Sequence, residues 1–409
     1  MKTNSIQYLT IDPGHLETES AVVNERMISN SPARDQKLSC TTARWRYMHD
    51  VLSPFTFARG QRTVRNRCLL AALTNKQSHD DGTISKEEHR WLTRRAQGGF
   101  GIVTTAAANV TETGKGWEGE LGVYDEAHVP GLRNLANELR NHSALSLVQL
   151  FHGGIRAPTS LTGVQPITAS TTALEGDSHA TAREMTAEEV EATVEAFGRA
   201  AKRCEEAGMD GVELHGAHGY LIAQFLTRHC NRRTDAWGLK GDPIAFLRAI
   251  VHRVREVTSP DFLVGVRLSP KMPQLDFTFQ DGMRVLDAVV DLDLDFIHVS
   301  CWDIHETAEH NGVTLPMTRH YAHAIDQRVP LITTGGVWSA DDAHLALEMG
   351  ADLVGVGRVG IAHPDWPVQL ARDDQPVQRP PFTAQHLAHA SLSPTFIEYM
   401  RRWDGFVGD

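Results

Sequence analysis

The stretch 215-HGAHGYLIAQFL-226 sets two histidines three residues apart, a tyrosine two further on, and then an apolar run. Imidazoles at this spacing can hold a metal, orient a substrate oxygen or pack in a core. A zinc site needs a third and fourth ligand, and no HExxH, cysteine cluster or neighbouring carboxylate accompanies the pair. No metal is expected. The better chemistry is two N–H donors that grip an oxygen, with Tyr220 beside them as a neutral acid. A phenol of pKa about 10 keeps its proton at neutral pH and suits donation to a carbanion-like centre. Burial of the pair for packing is the structural alternative.

Other polar residues stand in apolar surroundings. Gln149 interrupts 147-LVQLFHGG-154, where a buried amide must find partners. Backbone can satisfy it, or a heterocycle with alternating donors and acceptors can. Arg267, in 263-LVGVRLSP-270, puts a guanidinium at the end of a buried strand, which calls for an anion or an electron-rich acceptor, an internal ion pair being the alternative. The letters G-x-G-x-x-G in 353-LVGVGRVG-360 suggest a dinucleotide fold when read alone. His363, Pro364, Asp365 and Pro367 follow where that fold needs a long helix, so the Rossmann reading is rejected. Gly357 instead lets backbone approach a phosphate that Arg358 can pair with, and 334-TGGV-337 supplies a second glycine-rich loop.

These residues need a frame that gathers them at one end. Short apolar runs at 67–73, 101–105, 144–151, 211–215, 262–268, 296–300, 330–333 and 353–356 read as strands buried on both faces. Helical patterns cover 85–97, 131–141, 186–207, 243–257, 282–291, 317–327 and 339–349. Thr186 with Glu189 predicts a capping box, and Gly208 a helix stop. Ser339 with Asp341 and Asp342 predicts another helix start. Eight strands alternating with helices predict an α/β fold, a (β/α)8 barrel, whose reactive groups gather where the strands end and whose phosphate site lies after strands 7 and 8. Segments 153–185, 226–242 and 301–316 are long enough to be functional loops over the mouth.

Composition bounds the class. The chain has 409 residues, 41% apolar and 22% charged, with a formal charge of -11 and no basic block. That argues against nucleic acid and anionic membrane as partners. Five scattered cysteines without a CxxC pair fit a reducing compartment and no cysteine-held cluster. Without a signal-like or membrane-spanning run, a cytoplasmic protein is expected. The expected organisation is a polar extension or arm over 1–50, a barrel over 51–375, and a tail over 376–409 that packs on it.

Taken in order, these motifs resemble the Old Yellow Enzyme (NADH:flavin oxidoreductase) family, over roughly residues 52–366. "VRNRCLLAALT" resembles its first strand, which implies that Ala72, Leu73 and Thr74 lie against FMN, Thr74 at the flavin C4 oxygen. "AAANVTETGKG" places Ala107 against the flavin, and "LVQLFHGGIRA" gives Gln149 to the pyrimidine ring. "AGMDGVELHGAHGYLIAQFLTRHCNRRTDAWG" is the closest match. It implies that His215 and His218 bind the substrate's activating oxygen, with His215 also beside the flavin, and that Tyr220 protonates the product carbon. Arg267 matches the arginine at flavin N1 and O2, while Gly335, Gly336, Gly357 and Arg358 match the phosphate loops. Three features depart from the pattern: Ala72 replaces the usual proline, Ala106 the usual acid, and 238-GLKGDP-243 a Gly-Gly-Ser…Glu-Asn-Arg run.

The resemblance implies a single-domain, FMN-dependent NAD(P)H oxidoreductase that reduces the activated C=C bond of an α,β-unsaturated carbonyl or related compound. Hydride would come from flavin N5 and the proton from Tyr220. It leaves open a dehydrogenase or double-bond isomerase on the same barrel, and a non-catalytic flavin-binding protein, which has no need of a placed acid. The expected partner is a small activated alkene, and a homo-oligomer is allowed.

Overall fold

Each of the eight apolar runs becomes a strand: β1 Cys68–Leu70, β2 Ile102–Asn109, β3 Leu145–Phe151, β4 Gly211–Gly216, β5 Leu263–Leu268, β6 Phe296–Ser300, β7 Leu331–Thr334 and β8 Leu353–Val356. They come from a computed structural model that describes residues 51–173, 181–372 and 377–408. The arm expected over 1–50 lies outside the described residues. The strands pair in parallel in the order β1-β8-β7-β6-β5-β4-β3-β2, and β1 pairs with β2 to close the ring. The expected (β/α)8 barrel is the fold.

Helices α1 Lys86–Gln97, α2 Val129–Asn141, α3 Ala187–Glu206, α4 Ala245–Val257, α5 Phe279–Val289, α6 Met317–Ile325 and α7 Ala340–Glu348 surround it. In α3, Val190, Val194, Phe197, Ala201 and Cys204 are buried, as one face of a 3.6-residue period requires. Thr186 and Glu189 form the predicted capping box, of a kind typically worth about 1 kcal/mol, and Gly208 follows at φ +82°. Ser339 and Asp342 form another at α7. The helix predicted from 282 starts earlier, at Phe279, because Thr278 and Asp281 make a capping box upstream of Gly282.

Residues two apart on a strand share a face, so the barrel interior fills in layers. Leu69, Ile102, Leu147, Leu263, Phe296, Ile332 and Leu353 form an apolar cluster with Phe57 at the end where the strands begin. There Gly265 makes room for Phe296, whose ring atoms lie 2.1–2.3 Å from where a Cβ would stand. Two residues up, four of the strands place polar side chains inside, Gln149, Glu213, His298 and Thr334, all buried. Two further up stand Phe151, His215, Arg267 and Ser300, at the ends of β3 to β6.

The long segments carry structure of their own. Ile167–Thr168, Thr172–Ala173 and Thr181–Glu184 form a small sheet, with residues 174–180 outside the described ones, and Thr307–His310 pairs with Val313–Pro316. Past β8, helices Ala384–His389 and Pro394–Met400 dock by aromatic contacts. Phe396 meets Trp91 at 5.3 Å between ring centroids, and Phe382 stacks on Trp338 at 6.3 Å. No described helix is long and apolar enough to cross a membrane.

Candidate active site

β4 ends at Gly216, and the chain turns sharply. His218 at φ 60° and Gly219 at φ 78° are both left-handed. For a histidine this conformation is costly and recurs at functional sites. The Ser269 hydroxyl holds the turn by accepting from the His218 backbone N–H at 3.0 Å. As a result three rings converge: His215–His218 centroids lie 5.1 Å apart and His215–Tyr220 4.9 Å. Phe151 backs Tyr220 edge-on at 4.5 Å, and Trp117 stands 6.3 Å from it.

The protonation states suit donation. Burial pulls both imidazoles well below their ordinary value, with Arg267 and Arg156 adding to the effect at each. Burial pushes the Tyr220 phenol up, against the opposing influence of Arg156. All three groups are neutral at physiological pH. At His215, Nδ1 accepts from the Ala217 N–H at 3.3 Å, which leaves the proton on Nε2. His218 Nε2 meets the Ser300 hydroxyl at 2.9 Å.

Beside them, Arg267 is opposite His215 on β4 and His298 on β6 in strand register. Its guanidinium donates to the Ala72 carbonyl at 3.2 Å and to Ser300 Oγ at 3.1 Å, while its buried Nε has no partner among the described residues. β1 is shorter than the 67–73 predicted because backbone past Leu70 leaves the ladder, freeing the Ala72 carbonyl for this contact. Leu73 and Thr74 are half-buried just beyond. Leu73 lies 3.3 Å from the position of a Cβ on Gly357. Ala107 sits opposite Gln149 past an irregularity in β2, where the register shifts after Thr104. Gly335 and Gly336 have φ 153° and 66°, and a Cβ on Gly335 would collide with the Cys301 carbonyl at 2.6 Å. Arg358 is exposed at the start of the helix Arg358–Ala362, with no carboxylate partner among the described residues. The site residues singled out from the sequence therefore lie in the C-terminal halves of the barrel strands or just beyond them.

Four residues that sequence reasoning passed over also belong here. Glu213, fully buried, accepts from the Gln149 amide at 2.6 Å and pairs with His298 Nδ1 at 2.6 Å. His298 Nε2 in turn meets the Thr334 hydroxyl at 2.5 Å. Burial works to raise the Glu213 carboxyl, but His298, Arg267 and Gln149 hold it below its ordinary value. Glu213 is thus the anion that balances Arg267, with His298 neutral. Gln224 clasps two loops, accepting from the Ile155 N–H and the Thr168 hydroxyl and donating to the Gly153 and Gly219 carbonyls. Arg156, the fourth, lies 5.4 Å over the Tyr220 ring. A charge inside the strand run GVELHG and an amide inside LIAQFL were the available signals.

Comparison with known proteins shows the family. The model of the NADH:flavin oxidoreductase / NADH oxidase family matches residues 50–375. A Bacillus subtilis protein described as "Probable NADH-dependent flavin oxidoreductase YqiG" is 39% identical over 328 residues, covering 78% of this chain and 87% of the relative. NADH:fumarate oxidoreductase of Klebsiella pneumoniae is 30% identical over 336 residues, 80% of this chain, which spans only 36% of that protein. Among solved structures, morphinone reductase in complex with tetrahydroNAD superposes with a TM-score of 0.71 at 25% identity, covering 82% of this chain and 93% of the other.

Proposed function

The chain belongs to the NADH:flavin oxidoreductase / NADH oxidase family and is an FMN-dependent NAD(P)H oxidoreductase; on that premise we propose that it reduces the activated C=C bond of an α,β-unsaturated carbonyl compound. The convergence of three neutral donors, His215, His218 and Tyr220, at one point of the mouth carries this reading.

The residues present fit FMN. The buried, unpartnered Nε of Arg267 needs an acceptor, and a flavin pyrimidine edge offers one. Gly335 and Gly336 keep a cradle open that side chains would fill, and Arg358, with no carboxylate partner among the described residues, follows the neighbouring strand, as a terminal phosphate requires. When bound, FMN supplies the redox step, taking hydride from NAD(P)H and giving it to the β-carbon.

The protein's own share is binding, orientation and one proton. His215 offers its Nε2–H to the substrate's carbonyl oxygen. Arg267 donates to Ser300 Oγ, leaving the serine proton for His218 Nε2, so that His218 presents Nδ1–H. Two such donors stabilise negative charge as it grows on that oxygen, an effect typically worth about 3–4 kcal/mol per donor. Tyr220 then gives its phenolic proton to the α-carbon. Arg267 is committed to the Ala72 carbonyl and Ser300, which fixes one wall of the pocket.

The test is direct. The purified protein should be yellow, release FMN on denaturation, and oxidise NADH or NADPH faster when 2-cyclohexenone is added, giving cyclohexanone. A flavin-loaded protein that nicotinamide reduces but no enone reoxidises would overturn the reading.

A further inference from the structure

Elsewhere on this acidic chain arginines meet carboxylates: Arg183 with Glu189, Arg233 with Asp235, Arg255 with Asp295. The mouth is different. Arg156 lies over the Tyr220 ring at 5.4 Å. Lys76 lies over Tyr399 at 5.7 Å, and Arg402 over the same ring at 5.2 Å. None of the three has a carboxylate partner among the described residues. Trp117 lies 6.3 Å from the Tyr220 ring, and two residues on the Gly119 backbone packs on that of Lys76, where a Cβ would meet the carbonyl at 2.4 Å, so the three cations lie near one side of the mouth. They come from three separate places in the chain: the segment after β1, the loop after β3 and the C-terminal segment.

Glu398, beside Tyr399 in the chain, is paired with Arg401. The carboxyl that acts on Tyr220 is Glu120, which burial raises well above its ordinary value and which accepts from the Gly116 and Trp117 backbone N–H groups. The other charged or titratable groups acting on His218 are basic: Arg267, Arg156 and His298. Cations resting on ring faces are held in place, so an incoming anion does not have to order them.

We propose that the natural substrate is an alkene carrying an anionic oxygen group, remote from the activating carbonyl, which Arg156, Lys76 and Arg402 receive on the far side of Tyr220. This rests on the ene-reduction reading and narrows it. The activating oxygen goes to His215 and His218, the α-carbon to Tyr220, and the anion outward to the three cations. The 2′-phosphate of NADPH has the same chemistry and is the competing source of the anion.

A cyclohexenone with a propanoate side chain and its methyl ester differ in charge but not in the reacting bond. With the FMN-loaded full-length protein, kcat/KM for the acid should exceed that for the ester by about tenfold or more. Each half-exposed ion pair contributes on the order of fivefold, so Arg156→Gln should cut the acid/ester ratio about fivefold. The Lys76→Gln/Arg156→Gln/Arg402→Gln variant should bring the ratio near one. In the wild type, raising ionic strength should lower the ratio as well, which requires no variant to fold. An equal ratio in wild type and variants, unmoved by salt, overturns the proposal. So does a variant effect confined to the KM for NADPH relative to NADH, which assigns the cations to the nicotinamide. Titration followed by flavin absorbance separates the two readings. Tighter binding of acid than ester, lost in Arg156→Gln, supports the anion site even if neither compound is reduced, and that failure would fall on ene-reduction alone.

Discussion

Glu213 and His215 stand two residues apart on β4 and face the same interior, yet they live in opposite conditions. Glu213 is spent: its oxygens take the Gln149 amide and His298, and its charge answers Arg267. His215 uses one nitrogen on the Ala217 N–H and leaves the other without a partner among the described residues. One step along a strand thus separates a closed polar circuit from an open one. The closed layer holds the barrel's polar interior together. The open layer can do chemistry, because only an unsatisfied donor gains by meeting a substrate.

The largest effect that tests this contrast belongs to the open layer. Tyr220→Phe keeps the ring against Phe151 and removes only the proton. Reoxidation by a simple enone should fall by roughly two to four orders of magnitude in rapid-mixing kinetics, the usual share of a general acid. Flavin reduction by nicotinamide and turnover of a quinone should stay near wild type, as should thermal stability. A slowed nicotinamide step with an intact enone step would remove Tyr220 from the proton transfer.

Next in size is the closed layer. Glu213→Ala strips Arg267 of its counter-charge and leaves His298 and Gln149 without an acceptor. Denaturant unfolding should show a loss of about 3–5 kcal/mol, as for a buried ion pair broken on one side. His215→Ala, two residues on, should cost less than half as much stability while lowering the enone step more. If the two substitutions cost equal stability, the division into closed and open layers fails.

The smallest effect is a difference between two pH profiles. Burial holds His215 and His298 below 6.5 in the folded protein and pushes His152 down to about 4. Below pH 6.5 the unfolded chain binds protons that the folded chain does not, so stability must fall as pH drops. The slope is about 1.4 kcal/mol per pH unit for each such histidine, down to its folded-state value. The enone step on the folded protein should stay flat over the same range, since its imidazoles remain neutral. An enone rate that titrates near 6.5 would mean that a charged imidazole takes part.

Legibility followed distance along the chain. Thr186 and Glu189 announce a helix start because both partners of the capping box lie within four residues. The opening motif was legible for the same reason, with both imidazoles and the phenol in one turn. Glu213 was not, because its partners lie 64 and 85 residues away and no local spacing marks them. The end of β1 was misjudged on similar grounds, since the Ala72 carbonyl turns toward an arginine 195 residues on. The interior layers could be built only after the strands had been placed side by side.

The segment bearing Tyr399 and Arg402 docks on α1 and the barrel through a few aromatic contacts, such as Phe396 on Trp91, and contributes no barrel strand. On the proposed anion site, one of its three cations, Arg402, is therefore carried by a stretch that holds none of the strand-end residues. On that proposal, substitution of the exposed Arg402 should change which molecules are preferred while the strand ends stay untouched, whereas Phe396 and Met400 nearby are buried and hold the segment in place. For an engineer, that makes the exposed positions of this short segment, 401–403, a place to diversify. For a lineage, it gives a route by which one reaction can be turned toward new compounds without passing through an inactive form.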